Sequence, residues 1–334
     1  MSGYPTSWTR VTALTVLLIP VSWLYRIVVS IRRALYAAGI LRSERLPVPV
    51  IVVGNISVGG TGKTPLVLWL TERLIEAGYT PGIVSRGYGA NANNARAVGI
   101  KDDVTHCGDE PVLLARRSDC PVWIGADRVA AARALLAAHP ECTIIVSDDG
   151  LQHYRLARDA EVAIIDGARG HGNGFLLPAG PLREPPSRLD IVDAVVIRGN
   201  ETQPFVASGT TVPRFAMSIE AGLFYNLLNP QHTVDARHLQ GKRVEAAAGI
   251  GNPEHFFNTL KGLGLTFTAH PFPDHHPYTQ ADLDFADSDA IVMTEKDAVK
   301  YERYATEKCW ALSATAQVEN RLATLLIERV QRKP

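Results

Sequence analysis

At 334 residues with 46% hydrophobic content, the chain can bury a substantial core and has the length of two domains at roughly 100–200 residues each. Lys plus Arg and Asp plus Glu both number 34, so no overall field recruits nucleic acid, and nucleic acid is not an expected partner. Cys107, Cys120, Cys142 and Cys309 form no C-x-x-C pair, which fits free thiols in a reducing compartment better than a disulfide scaffold.

The N-terminal region is dense in apolar residues. Residues 11–25 carry no charge, but the run is bounded by Arg10 and Arg26, contains Pro20, and falls short of the ~20 apolar residues of a spanning helix. The basic cluster Arg26, Arg32 and Arg33 follows the apolar run and no small-residue cleavage site appears, the reverse of a secretory signal. Leu24, Ile27, Val28, Ile31, Leu35 and Ile40 continue at helical spacing, with Trp8, Trp23 and Tyr25 as interfacial rings. Residues 1–42 therefore read as an amphipathic, membrane-associated helix region. A helix packed by that stripe on the protein's own core is the competing reading.

The strongest motif comes next. Residues 57–64 read Ser-Val-Gly-Gly-Thr-Gly-Lys-Thr, directly after the apolar run 48–53. A strand, a glycine-rich loop and Lys-Thr opening a helix form a cradle for a nucleotide triphosphate. Ser57, Val58, Gly59, Gly60, Thr61 and Gly62 would wrap the phosphates, Lys63 would reach the β- and γ-phosphates, and Thr64 would hold Mg²⁺. Ser57 departs from the general pattern, which has glycine there. A turn made only for packing explains neither Lys63-Thr64 nor the strand before the loop.

Downstream, residues 66–77 read as a helix stopped by Gly78, and 81–85 as a strand, giving a first βαβ unit of a parallel, covered sheet. Gly108-Asp109-Glu110-Pro111 is a loop before a helical segment at 112–117, and 126–138 is an alanine-rich helix. A strand at 143–147 runs into Asp148-Asp149, where a carboxylate can hold Mg²⁺ directly or through water; a plain turn is the bland alternative. Strands at 162–165 and 194–197 flank a Gly- and Pro-rich functional loop at 167–188 that carries Arg169, His171, Asn173, Arg183 and Glu184. These elements make residues 43–223 a P-loop NTPase-like domain. A smaller α/β domain occupies 224–334, with strand 244–248, a glycine turn at 249–253, a helix to 263, strand 265–269, another helix, strand 290–294 and a helix from 296.

Phosphoryl transfer needs a group that takes the acceptor's proton. An Asp such as Asp109 is a weak base unless a partner orients it, and histidines are concentrated at Pro273-Asp274-His275-His276-Pro277-Tyr278. If the domains face each other, Asp109 and one of these histidines meet above the phosphate loop. Asp109 could instead only cap its helix, and His270, His275 and His276 could bind a metal or pack on Tyr278.

Together these residues resemble the tetraacyldisaccharide 4'-kinase family of lipid A biosynthesis over nearly the whole chain. The resemblance rests on Val53 through Pro65, Ser85-Arg86-Gly87-Tyr88-Gly89, Gly108-Asp109-Glu110-Pro111, Asp148-Asp149-Gly150-Leu151-Gln152-His153, Leu177-Pro178-Ala179-Gly180-Pro181-Leu182-Arg183-Glu184, Phe272-Pro273-Asp274-His275-His276 and Thr294-Glu295-Lys296-Asp297. It implies transfer of the ATP γ-phosphate to the 4'-hydroxyl of tetraacyldisaccharide 1-phosphate, giving lipid IVA, by an enzyme on the cytoplasmic face of the bacterial inner membrane with no obligate protein partner. By the same resemblance Asp109 would be a base paired with His275, and Lys63, Thr64, Asp148 and Asp149 would hold MgATP. Glu110, Gln152, His153, Arg183 and Glu184 are similar to family residues lining the active site. Two other readings predict different acceptors: a membrane-associated regulatory ATPase that activates water, and a soluble kinase of a small metabolite.

Overall fold

The computed structural model describes residues 5–87, 94–201 and 211–332. Tyr88 and Gly89 of the Ser-Arg-Gly-Tyr-Gly run lie outside them. In chain order the elements are α1 (Thr6–Thr9), α2 (Ala13–Ala37), β1 (Val50–Gly54), α3 (Lys63–Glu76), β2 (Pro81–Ser85), β3 (Arg96–Val98), α4 (Val104–Cys107), α5 (Asp109–Arg117), β4 (Val122–Ile124), α6 (Arg128–Ala138), β5 (Ile144–Asp148), β6 (Ala160–Asp166) and β7 (Ala194–Arg198). There follow β8 (Arg214–Asn226), β9 (Thr233–Val234), β10 (Val244–Ala248), α7 (Pro253–Gly262), β11 (Phe267–Pro271), β12 (Ala290–Thr294), α8 (Glu295–Tyr301), β13 (Cys309–Val318) and α9 (Arg321–Gln331).

All these strands join one sheet in the order β11-β10-β12-β13-β8-β7-β6-β1-β5-β2-β4-β3, with β9 on β8. From β4 through β8 the neighbours pair in parallel, as β11 through β13 do, and the two parallel blocks meet antiparallel at β8 and β13. β1, β2, β5 and β6 are buried along their whole length, the pattern of strands covered on both faces. β8 runs through position 224, so the strand itself carries the chain from one block to the other. It pairs with β13 over a long ribbon whose register shifts between Leu312 and Ala314. Such ribbons twist strongly, and here the loop after β10 brings Gly251 against Gly60 of the phosphate loop, while the loop after β11 and the start of α8 reach Asp109 and Glu110.

The chain's end also returns to the first block. Leu322, Ala323, Leu326 and Val330 of α9 share one apolar cluster with Ile51 and Val53 of β1 and with Leu66, Leu70 and Leu74 of α3. The helix expected between 269 and 290 is not an α-helix. That stretch holds only a 3₁₀ turn at Gln280–Leu283, because Pro271, Pro273 and Pro277 fix φ and remove donors along the approach.

α2 has its polarity inverted. Thr15 and Ser22, seven residues apart, are buried at 0% and 3% exposure, while Leu17, Trp23 and Leu24 are 74%, 60% and 63% exposed. The helix docks through polar bonds: Ser22 Oγ donates to the Leu176 carbonyl at 2.8 Å, and Tyr25 Oη to the Arg183 carbonyl at 3.2 Å. An apolar stripe facing the protein's own core is therefore not what holds it. Among the described residues α2 is the one helix long and apolar enough, by length and composition, to cross a membrane.

Because α9 closes the core under β1, Leu326→Ala should cost about 2–5 kcal/mol in urea unfolding. A loss below about 0.5 kcal/mol would mean that the helix adds little to the first block.

Candidate active site

The site is built where strand ends of both blocks converge. β1 leads into the loop 55–62, and Gly62, at φ 97°, caps α3 in a backbone region that favours glycine. The loop is braced from outside by residues 176–184. Val58 N–H donates to the Pro181 carbonyl at 2.9 Å, and Arg183 N–H to the Ile56 carbonyl at 2.7 Å. Ser57 pairs with Leu182 as an isolated antiparallel bridge, so its place in the loop is used for bracing.

Lys63, the first residue of α3, lies with its ammonium 3.7 Å from Asp149. Arg183 grips the same carboxylate through one Nη at 3.0 and 3.1 Å. Burial pushes the Asp149 carboxyl up, but Lys63, Arg183 and Arg128 outweigh it and hold the group down at about 2. Its neighbour behaves oppositely. Burial raises Asp148 to about 7, helped by Glu110 and Asp149 and opposed by Lys63 and the Ser85 hydroxyl. Two adjacent aspartates thus divide into one held ionised and one pushed by burial toward its protonated form.

Asp148 Oδ2 accepts from Ser85 Oγ at 3.1 Å, whereas Oδ1 is buried with no hydrogen-bond partner. A buried carboxylate oxygen left unmatched beside a phosphate loop suits a hard cation or its bound water. With Thr64 following Lys63, the donor set fits Mg²⁺, which keeps waters and takes few protein ligands. Among the described residues no group of three or more His, Cys, Asp or Glu could hold a metal, as the histidine-cluster reading would need. His270 bonds Glu245 at 2.7 Å and His276 faces Asp282 at 3.3 Å, so these two turn away from His275.

His275 reaches across the cleft. Its Nδ1 lies 2.9 and 3.1 Å from the Asp109 carboxylate oxygens. Asp109 is the first residue of α5 and is 6% exposed; its Oδ1 also accepts from the Glu110 N–H at 2.9 Å, but Gly108 takes the cap position and no side chain caps the helix, so the reading of Asp109 as a mere cap does not hold. Burial pushes Asp109 up, but the His275 hydrogen bond and Lys296 hold it down at about 2. In return the Asp109 hydrogen bond raises His275 above its usual value against burial. Among the described residues, the two non-glycine positions with left-handed φ are Asp149 at 48° and His275 at 59°. Backbone strain of that kind gathers where a side chain must be aimed.

The remaining sequence-predicted residues sit on two flanks. Gln152 donates to the Asn55 carbonyl at 3.0 Å and to Glu184 at 3.2 Å, and Tyr154 Oη donates to Glu184. Those contacts support the loop and Arg183 from behind. His153 Nε2 accepts from the Arg128 N–H at 3.3 Å, and burial with nearby Arg128 lowers it to about 4. Sequence reasoning gave no role to Lys296 or Arg128 and placed Arg169 only within a functional loop. Lys296 lies 3.0 Å from Glu110, and Arg169 donates to the Gly60 carbonyl. The Thr-Glu-Lys-Asp run was the available signal for Lys296.

The Asp148 environment has a testable sign. Its folded pKa lies above the unfolded value, so the metal-free protein pays nothing for it below about pH 4 and loses stability as pH rises through about 7. Asp148→Asn should therefore stabilise the chain by about 1–3 kcal/mol at pH 8 in chelator, with the gain vanishing near pH 4. Equal urea midpoints for parent and variant at pH 8 would contradict this.

Comparison with known proteins gives the family. Residues 14–331 match the family model described as tetraacyldisaccharide-1-P 4'-kinase. A tetraacyldisaccharide 4'-kinase of Azoarcus sp. (strain BH72) is 49% identical over 332 residues, covering 99% of this chain and 96% of that protein. One from Aromatoleum aromaticum is 50% identical over 326 residues, covering 98% and 96%. A crystal structure of the "apo" form of LpxK from Aquifex aeolicus in complex with ATP superimposes with a TM-score of 0.81 at 32% identity, covering 95% of this chain and 99% of that one. The chain belongs to the tetraacyldisaccharide-1-P 4'-kinase family.

Proposed function

We propose that this chain transfers the terminal phosphoryl group of ATP to the 4'-hydroxyl of tetraacyldisaccharide 1-phosphate, forming lipid IVA on the cytoplasmic face of the inner membrane. The observation that carries the reading is the Asp109–His275 contact at 2.9 Å, set across the cleft from a phosphate loop whose Lys63 faces Asp149. ATP as donor is supported by the similar structure described as an ATP complex.

The acceptor oxygen forms a bond to the γ-phosphorus while the bond from that phosphorus to the bridging oxygen of ADP breaks. The hydroxyl proton passes to the Asp109 carboxylate, and His275, on the same carboxylate, shares it. Asp109 alone, held at about 2, is too weak a base; the raised His275 supplies the missing basicity. Lys63 and Arg183 would face the charge that grows on the transferred oxygens, with Asp149 holding both cations in place. Mg²⁺ bound with the nucleotide would be held by Thr64 and by Asp148 or Asp149, directly or through water, and would neutralise phosphate charge. Glu110 would line the acceptor side, while Gln152 and Glu184 would hold the phosphate loop from behind and His153 the start of α6.

A substrate with four acyl chains stays in the bilayer, since each buried CH₂ is worth about 0.8 kcal/mol. The inverted polarity of α2 supports an enzyme that comes to that surface. One face of α2 is tied to residues 176 and 183, so the opposite face, with Leu17 and Leu24, would lie in lipid with the helix along the membrane.

Purified protein with Mg-ATP in detergent should phosphorylate the lipid disaccharide and hydrolyse little ATP without it. Fast lipid-independent hydrolysis would favour the regulatory ATPase reading instead. Asp109→Asn should slow transfer by about 10²–10⁴-fold with ATP binding retained, and a near-parent rate would remove Asp109 as base. Leu17→Glu combined with Leu24→Glu should lower binding to anionic vesicles by at least about tenfold without loss of folding, because both positions are exposed. Undiminished vesicle binding would sink the membrane-surface assignment.

A further inference from the structure

Lys296 is the second residue of α8, at the end of β12, and only 16% of its side chain is exposed. Its ammonium lies 3.0 Å from Glu110, 3.4 Å from Asp274 and 3.8 Å from Asp109. Asp109 and Glu110 open α5 in the first block; Asp274 and His275 belong to the loop after β11 in the second. One cation therefore joins two consecutive acids on one side of the cleft to the acid beside His275 on the other. Behind it, Arg117 of α5 grips Glu295, which also accepts the Ala314 N–H at 3.0 Å, so the start of α8 is fixed against α5.

We propose that Lys296 is a positioning residue for phosphoryl transfer: its ammonium ties the Asp109–Glu110 turn to the Asp274–His275 loop and so holds the carboxylate and the imidazole together across the cleft. The inference rests on the reading of Asp109 and His275 as the proton-handling pair. Without Lys296, Asp109, Glu110 and Asp274 face one another with no cation at their centre, and like charges at that separation drive the turn and the loop apart.

The same cation acts on the pair's proton. His275 is faced by Asp109 from α5, by Asp274 from its own loop, 3.8 Å from Nε2, and by Lys296 from α8; Asp109 also feels Lys300 of α8. Asp109 and Asp274 favour the imidazolium, whereas Lys296 opposes it. Removing Lys296 leaves His275 holding its proton more firmly, so the form able to accept one appears only at higher pH. Lys296 has the reverse effect on nothing else that titrates near neutrality in the pair, since Asp109 stays ionised.

The test uses the full chain in detergent and compares Lys296→Met and Lys296→Arg with the parent. For Lys296→Met, kcat should fall about 10–100-fold, KM for ATP should stay within about twofold, and the acid limb of the kcat–pH profile should move up by about one pH unit. Lys296→Arg keeps the charge and should return the limb to its parent position with most of the rate. If the methionine variant does not fold, Lys296→Gln, which keeps a donor toward Glu110, gives the same readout. An acid limb that stays put with kcat changed less than twofold would overturn the proposal. A parallel His275→Gln variant separates the two levels: if it is slow while Lys296→Met is not, only the Lys296 role falls, and if it is as fast as the parent the underlying pair falls as well.

Discussion

The contact between Asp109 and His275 is the constraint around which the rest of the molecule is arranged. The two residues are 166 positions apart and belong to opposite blocks of one sheet. Bringing them within 2.9 Å requires the long β8–β13 ribbon to turn the second block toward the phosphate loop, and requires His275 to adopt φ 59° so that its ring points into the cleft. It also requires Asp109 to sit at the start of α5, where the helix end favours an anion. Each of these costs something alone, and the ion pair makes sense of them jointly.

Charge is distributed across the cleft with the same economy. Lys63 and Arg183 hold Asp149 ionised, while Asp148, one residue earlier, is driven toward its neutral form by burial. An incoming phosphate and its cation would find cations already ordered by one aspartate and a buried oxygen of the other without a partner. Residues 176–184 link this site to the helix outside. They brace the phosphate loop through Pro181, Leu182 and Arg183 and accept the bonds from Ser22 and Tyr25 of α2. The proposed membrane surface and the proposed phosphoryl-transfer site thus share one loop.

Much of this was legible in the sequence because local chemistry announces itself. The glycine-rich loop with Lys63-Thr64, the strand running into Asp148-Asp149 and the helix after Gly108 appear within a few residues of where they were expected. The pairing of His275 rather than His276 with Asp109 came from the family resemblance, because the residues themselves left either histidine open and the left-handed backbone that aims His275 is set by tertiary packing. β8 and β13 were missed because the middle of β8 is exposed rather than cleanly alternating, so hydrophobic periodicity had little to detect. Lys296 could not be assigned from sequence, since its meaning comes from three carboxylates on two distant segments. The inversion of α2 was half visible: the apolar density was plain, but Thr15 and Ser22 as its buried face emerge only when Ser7 of α1 and Leu176 are packed against them.

The most direct measurement is a double-mutant cycle on kcat for lipid-disaccharide phosphorylation, using Asp109→Asn, His275→Gln and the pair. If the two groups act as one proton-handling unit, the double variant should be about as slow as the slower single one, far from the product of the separate losses. Independent, multiplicative losses would contradict the account, because the contact across the cleft would then be a neighbourhood without a shared function.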